Sequence, residues 1–187
     1  MIFRSTNLDG AFILELERFE DERGFFAQGW SPKELSEQGL EAPLAESAIS
    51  FNKKRGTLRG MHYQAAPHEQ LKIVRCTMGS LYDVIVDLRP SSATFKQWAG
   101  FELSARNRFM LYVPKGLAHG FQTLEDDTEV FYQMSSPYVA KSGRGVRWND
   151  PTFAIRWPKP EEIVINERDR DYPDFLNSPF DIQGSGI

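Results

Sequence analysis

A chain of 187 residues with 41% hydrophobic and 26% charged side chains fits one soluble domain whose core needs no staples. A net charge of −4 gives no basic footprint for nucleic acid, and the single cysteine, Cys76, excludes an internal disulfide and an all-cysteine zinc site. The opening MIFRSTNLDG has no long apolar run and no small-residue cleavage site, so the expectation is a cytoplasmic protein without a membrane span.

Along the chain, short apolar runs alternate with turn residues. Ala11–Phe19 reads as extended, Asp21-Glu22-Arg23-Gly24 as a turn, and Phe25–Trp30 as the next extended run. Ser31-Pro32-Lys33-Glu34 then signals a helix start. It offers a capping serine, a proline at the first helical position and a glutamate spaced to reach back to the cap. This predicts a helix over about Pro32–Gln38 that stops near Gly39. Strands are predicted at Thr57–Gln64, Gln70–Met78, Leu81–Leu88, Gln97–Leu103, Phe109–Val113, Gly120–Leu124 and Val130–Ser135. Gly79-Ser80, Arg89–Ser92 and Glu125–Asp127 separate several of them. From Asp150 onward, Pro151, Pro158, Pro160, Pro173 and Pro179 favour turns and short helical pieces that wrap the body. The fold class is all-β, an antiparallel sandwich or barrel. One domain is expected over 1–187, with a barrel core at about 45–135 and a C-terminal wrap at about 150–187.

The chemistry centres on three histidines, His62, His68 and His119. His62 lies six residues after Gly56, and His119 ends Pro114-Lys115-Gly116-Leu117-Ala118-His119. These spacings resemble the two halves of the cupin pattern, a jelly-roll barrel. In metal-binding cupins a second histidine stands where this chain has Gln64, and no acid follows at the required spacing. The remaining donors fall short of a first-row metal site. His68 follows Pro67 in a loop and reads as a surface residue. Cys76, in an apolar run, reads as a buried structural thiol. On a regular strand Leu58, Gly60, His62 and Gln64 share one face, which parts Arg59 from His62 unless a bulge near Gly60 rejoins them. Taken alone, His62 and His119 fit core histidines, Lys72 a lysine snorkelling from its strand, and Tyr132 a core aromatic with a polar tip. Asp169, in Glu167-Arg168-Asp169-Arg170-Asp171, alone fits a solvated charge run.

Several segments, in order, change those readings. They include Asp21-Glu22-Arg23-Gly24-Phe25-Phe26, Gly56–Gln64, Lys72–Arg75, Tyr82–Arg89, Val113–Phe121, Phe131-Tyr132, Trp148-Asn149-Asp150-Pro151 and Arg168-Asp169-Arg170. Together they resemble the deoxythymidine-diphosphate-4-dehydrorhamnose 3,5-epimerases, from near residue 20 to near residue 175. The resemblance implies epimerisation of a nucleotide-linked 4-keto-6-deoxy sugar beside its ketone, without a metal or redox cofactor. It implies His62 as base, Asp169 as the carboxylate that orients it, Tyr132 as general acid and Lys72 as the group holding the enolate oxygen. Arg59, His119 and Arg168 match residues that bind substrate. Arg23, Phe26 and Gln28 match a segment that reaches the nucleotide, in the family often from the neighbouring subunit. A homodimer with N-terminal strand exchange is therefore expected.

The chain also departs from the family pattern. Gln28 stands where a glutamate is common, and Ile49-Ser50-Phe51-Asn52 reads in a different register from the family's Asn-x-Ser stretch. Gly143 replaces an acid, and Arg168 replaces a lysine. None of these changes touches His62, Tyr132, Lys72 or Asp169. They leave open a single-centre epimerase and a cytidine- or guanosine-linked substrate. A ketoisomerase of the same fold, a non-catalytic sugar-nucleotide binding module and a metal-dependent cupin enzyme are the competing readings, and the intact His62, Tyr132, Lys72 and Asp169 set argues against the module.

Overall fold

The computed structural model describes residues 1–41 and 43–175. Two antiparallel sheets pack face to face as a jelly roll. The first runs in the order β1 (Ile2–Ser5), β2 (Phe12–Glu15), β10 (Met110–Val113), β7 (Lys72–Met78), β12 (Thr128–Met134) and β5 (Glu46–Asn52). The second runs β13 (Gly143–Gly145), β6 (Leu58–Gln64), β11 (Leu117–Thr123), β8 (Ser80–Asp87) and β9 (Trp98–Ser104). A separate hairpin pairs β3 (Phe19–Asp21) with β4 (Gly24–Phe26).

Side-chain alternation decides what each sheet buries. Between the sheets, Val74, Cys76, Leu111 and Val130 of the first meet Leu81, Ile85, Leu103 and Phe121 of the second. β8 is buried almost throughout because both its faces are covered, and its inward Asp83 is a carboxylate among apolar neighbours. Its Val84 and Val86 face outward, where Val146, Phe153, Trp157 and Phe175 of the C-terminal segment cover them. Each such side chain contributes about 1.5–3 kcal/mol by leaving water. On the first sheet's outer face, Leu35 of α1 (Pro32–Glu37) packs with Ile73, Met110 and Tyr112.

The helix starts as its sequence dictates: Ser31 Oγ accepts from the Glu34 amide at 3.3 Å, with Pro32 first in the helix. The Glu34 carboxylate accepts from the Met1 amine, in place of the expected return to the cap. Four strands lie outside the predicted set, namely β1, β3, β5 and β13; β3 shares only Phe19 with the predicted run Ala11–Phe19, whose strand β2 ends at Glu15. β5 reverses the usual pattern, with polar or small Ala48, Ser50 and Asn52 turned inward and apolar Ile49 and Phe51 exposed. β4 ends at Phe26, well short of Trp30. β11 begins three residues before Gly120, because Leu117, Ala118 and His119 continue the ladder to β8. The C-terminal wrap is held by Val164, which bridges Thr57, and leads into the short helix α2 (Glu167–Arg170). Pro179 and the end of the expected wrap lie outside the described residues. Among those described, no helix is long and apolar enough to cross a membrane.

Candidate active site

The site is built on the pairing of β6 with β11. His62 stands opposite His119, and Arg59 opposite Phe121. Three steps on β6 therefore match two on β11, which is a bulge at Gly60–Met61. It brings Arg59 and His62 to one cavity, the rejoining that a regular strand forbids. Gly60 has φ +121°, and a Cβ there would lie 2.5 Å from Gly120 Cα, so only glycine fits. The cavity measures about 360 Å³. Arg59, His62 and His119 line it from the second sheet, Lys72 and Tyr132 from the first, and Arg168 from α2.

His62 is oriented from behind. Its Nε2 lies 2.7 Å from Asp169 Oδ1, while Asp169 Oδ2 accepts from the Gly60 amide at 3.0 Å. Asp169 is 1% exposed, so it belongs to no solvated charge run. The Asn166 side chain caps α2 by accepting from the Asp169 amide at 2.7 Å, which fixes the carboxylate's position. Burial works to raise the Asp169 pKa. The hydrogen bond and charge of His62, the Gly60 amide and Arg168 outweigh it and hold the carboxyl below its ordinary value. An ionised Asp169 accepts a proton carried on Nε2 and leaves Nδ1 as the basic nitrogen.

A second buried pair backs the same cavity. His119 Nε2 faces Asp83 Oδ1 at 2.6 Å, and Asp83 has no exposed surface. The His119 ring meets the Tyr132 ring edge-on at 6.0 Å. Burial, then the charge of Asp83, push the Tyr132 phenol above the ordinary tyrosine range, with Arg59 opposing. Tyr132 is thus a protonated donor at neutral pH. Lys72 turns into the cavity, and its Nζ donates to the His62 carbonyl at 3.4 Å. Burial lowers its pKa to about 8, against the restoring charge of Asp83. At neutral pH it is still mostly an ammonium.

Arg59 is held by a neutral group, its Nε donating to Asn52 Oδ1 at 2.8 Å. Arg168 is exposed at the rim, where its Nε donates to Tyr172 Oη at 3.0 Å. The Tyr172 ring lies 6.2 Å from that of His62. Arg23, Phe26 and Gln28 do not reach this cavity. They lie on or just after the β3–β4 hairpin, which pairs only with itself among the described residues. The Arg23 side chain is 85% exposed and pairs with Asp21, Phe26 is 73% exposed, and Gln28 is exposed.

Sequence reasoning assigned no role to Asp83, Asn52 or Tyr172. Asp83 carried a readable signal, a carboxylate at the inward step between Leu81 and Ile85. Gln64 is a strut, accepting from the Val139 amide at 2.7 Å and donating to the His68 carbonyl at 2.8 Å. His68 is exposed in a turn, as expected. Cys76 is buried, which pushes its thiol up to about 11.

The arrangement puts an imidazole backed by a carboxylate on one sheet and a phenol and an ammonium on the facing sheet. It can take a proton from one side of a carbon acid and return one from the other, with the ammonium near the developing negative charge.

Residues 5–177 match the family model described as dTDP-4-dehydrorhamnose 3,5-epimerase. The enzyme of that name from Sinorhizobium fredii is 38% identical over 98% of this chain and 94% of its own. The crystal structure of dTDP-4-dehydrorhamnose 3,5-epimerase from Elizabethkingia anophelis superposes with a TM-score of 0.93 at 38% identity, covering 95% of this chain and 98% of that one. The structure from Bacillus anthracis, with TDP and PPi bound, gives 0.88 at 42% identity over 92% and 98%.

Proposed function

The chain belongs to the dTDP-4-dehydrorhamnose 3,5-epimerase family, and from that premise we propose how its cavity works. The protein is an isomerase that epimerises a nucleotide-linked 4-keto-6-deoxy sugar, dTDP-4-dehydro-6-deoxyglucose, at the carbons flanking the C4 ketone. His62 Nδ1 removes the proton beside the ketone, and Asp169 stabilises the imidazolium that forms. Lys72 holds the enolate oxygen. Tyr132 returns a proton from the opposite wall, which inverts the centre. Arg59 and Arg168 take the diphosphate, with His119 beside the sugar. The fork of an arginine suits phosphate oxygens because it donates two parallel hydrogen bonds.

One observation carries this reading. His62 with its buried Asp169 stands on the second sheet, while Tyr132 and Lys72 stand on the first, across a single cavity. The test is incubation with dTDP-4-dehydro-6-deoxyglucose in D₂O. Deuterium at C3 and C5, with the rhamno configuration, is expected by proton NMR. Label at one carbon alone would mark a single-centre enzyme, and no label would remove the reading.

The reading extends to a homodimer in which the β3–β4 hairpin crosses to the partner. Phe19 and Phe26 are 66% and 73% exposed on that hairpin, and among the described residues β5 leaves an open sheet edge beside the cavity. Arg23, Phe26 and Gln28 would then meet the nucleotide in the neighbouring chain's cavity.

A further inference from the structure

The sequence around Ile49-Ser50-Phe51-Asn52 is a departure from the family pattern that the mechanism above leaves unused. Asn52 is the last residue of β5, on the first sheet, and is 2% exposed. Every hydrogen-bonding atom of its side chain that can be matched is matched. Nδ2 donates to the carbonyls of Ser50 at 3.2 Å and Thr128 at 3.1 Å, which fixes the amide plane. Oδ1 then points across to the second sheet and accepts from Arg59 Nε at 2.8 Å. The amide cannot turn over without setting its NH₂ against the Arg59 N–H and its oxygen against two carbonyls.

Arg59 itself is exposed at the cavity wall, and no carboxylate lies within ion-pair distance of it among the described residues. Other arginines of this chain are anchored by acids: Arg89 by Asp87 at 2.7 Å and Arg55 by Glu162 at 2.7 Å. An acid orients a guanidinium but also neutralises it. A buried amide orients it and leaves the full positive charge for a ligand.

We propose that Asn52 is a positioning residue for anion recognition: it occupies Arg59 Nε so that the two terminal nitrogens form a fixed, uncompensated fork toward the diphosphate of the substrate. This rests on the reading of Arg59 as a diphosphate ligand. Asn52 touches neither substrate nor reacting atoms, and it acts through the direction and charge of Arg59.

The experiment measures binding of TDP and of thymidine, which lacks the diphosphate, by calorimetry. The proteins are the parent, Asn52→Asp, Asn52→Ser and Arg59→Ala. Asn52→Asp keeps the acceptor beside Nε and adds a neutralising charge. Asn52→Ser removes the reach to Nε without adding charge. The dissociation constant for TDP is expected to rise about 10- to 100-fold in Asn52→Asp and about 3- to 10-fold in Asn52→Ser. Thymidine binding should stay within twofold in both. In turnover the same variants should raise KM by similar factors and leave kcat within about threefold. Equal weakening of TDP and thymidine, unchanged TDP binding in folded Asn52→Asp, or failure of both Asn52 variants to fold would overturn the proposal. Arg59→Ala separates the two layers. If it binds TDP as the parent does, the diphosphate reading of Arg59 is at fault. If it binds weakly while Asn52→Asp does not, only the role of Asn52 fails.

Discussion

Replacing Asp169 by asparagine tests how the base is set. The carboxylate serves two donors, His62 at 2.7 Å and the Gly60 amide at 3.0 Å. An asparagine that keeps its oxygen on Gly60 must present its NH₂ to His62 Nε2. That nitrogen then becomes an acceptor, and the imidazole proton moves to Nδ1, the nitrogen that should be basic. The variant also loses a charge-assisted bond to the imidazolium, worth about 1.5–3 kcal/mol. At about 1.4 kcal/mol per factor of ten, this alone costs about 10- to 150-fold. The wrong tautomer adds to it, up to about 10⁴-fold in a serine-protease triad with the same dyad. A fall in kcat of about 10²–10⁴-fold with KM within about threefold is expected, read as deuterium uptake in D₂O by NMR. The same substitution has a stability signature. Because the Asp169 pKa is lowered in the folded protein, its stabilisation is present above the ordinary aspartate pKa and is lost as pH falls through the folded value. The Tm gap between parent and variant should therefore be open at pH 7 and close in strong acid. A kcat within threefold of the parent would refute the tautomer argument.

Further outcomes follow from other parts of the site. Lys72, with a pKa of about 8, should impose a fall in kcat above that pH, and Lys72→Arg should move the fall to higher pH at lower absolute rate; a flat profile to pH 9.5 would count against an ammonium at the enolate. Gly60→Ala places a Cβ 2.5 Å from Gly120 Cα and 2.8 Å from the His119 carbonyl oxygen, so urea unfolding should show a loss of about 2–4 kcal/mol; a loss below about 0.5 kcal/mol would mean the bulge can relax. On the proposed dimer, the parent should sediment as a dimer and Phe26→Asp as a monomer with raised KM; a monomeric parent, or a dimeric variant with parental KM, would count against exchange of the hairpin.

The fold was legible where alternation was regular. β7, β8 and β12 fell within about two residues of their predicted bounds because apolar residues dominate their runs, with Lys72 and Asp83 the inward exceptions. β5 was not, since its inward residues are polar and line a cavity while its apolar ones point out. For the site, residue pattern alone singled out His62 and His119 by their cupin-like spacing and read them as core histidines. It assigned Asp169 to solvent, because a helix cap and a contact 107 residues away in sequence bury it. It set Lys72 outside the cavity, because strand lysines usually snorkel. Resemblance to a family supplied those two roles, and the geometry now gives them neighbours. Neither pattern nor resemblance revealed Asp83 or Asn52, whose importance comes from tertiary contacts with residues on other strands.

The central claim is that base and acid act from opposite walls. It is tested most directly by comparing Tyr132→Phe with His62→Ala during incubation of the keto sugar in D₂O. Tyr132→Phe retains the base, so deuterium should enter beside the ketone with the configuration unchanged, while inverted product disappears. His62→Ala should show neither exchange nor inversion. Exchange at the parental rate in His62→Ala, or inverted product at the parental rate in Tyr132→Phe, would contradict the account.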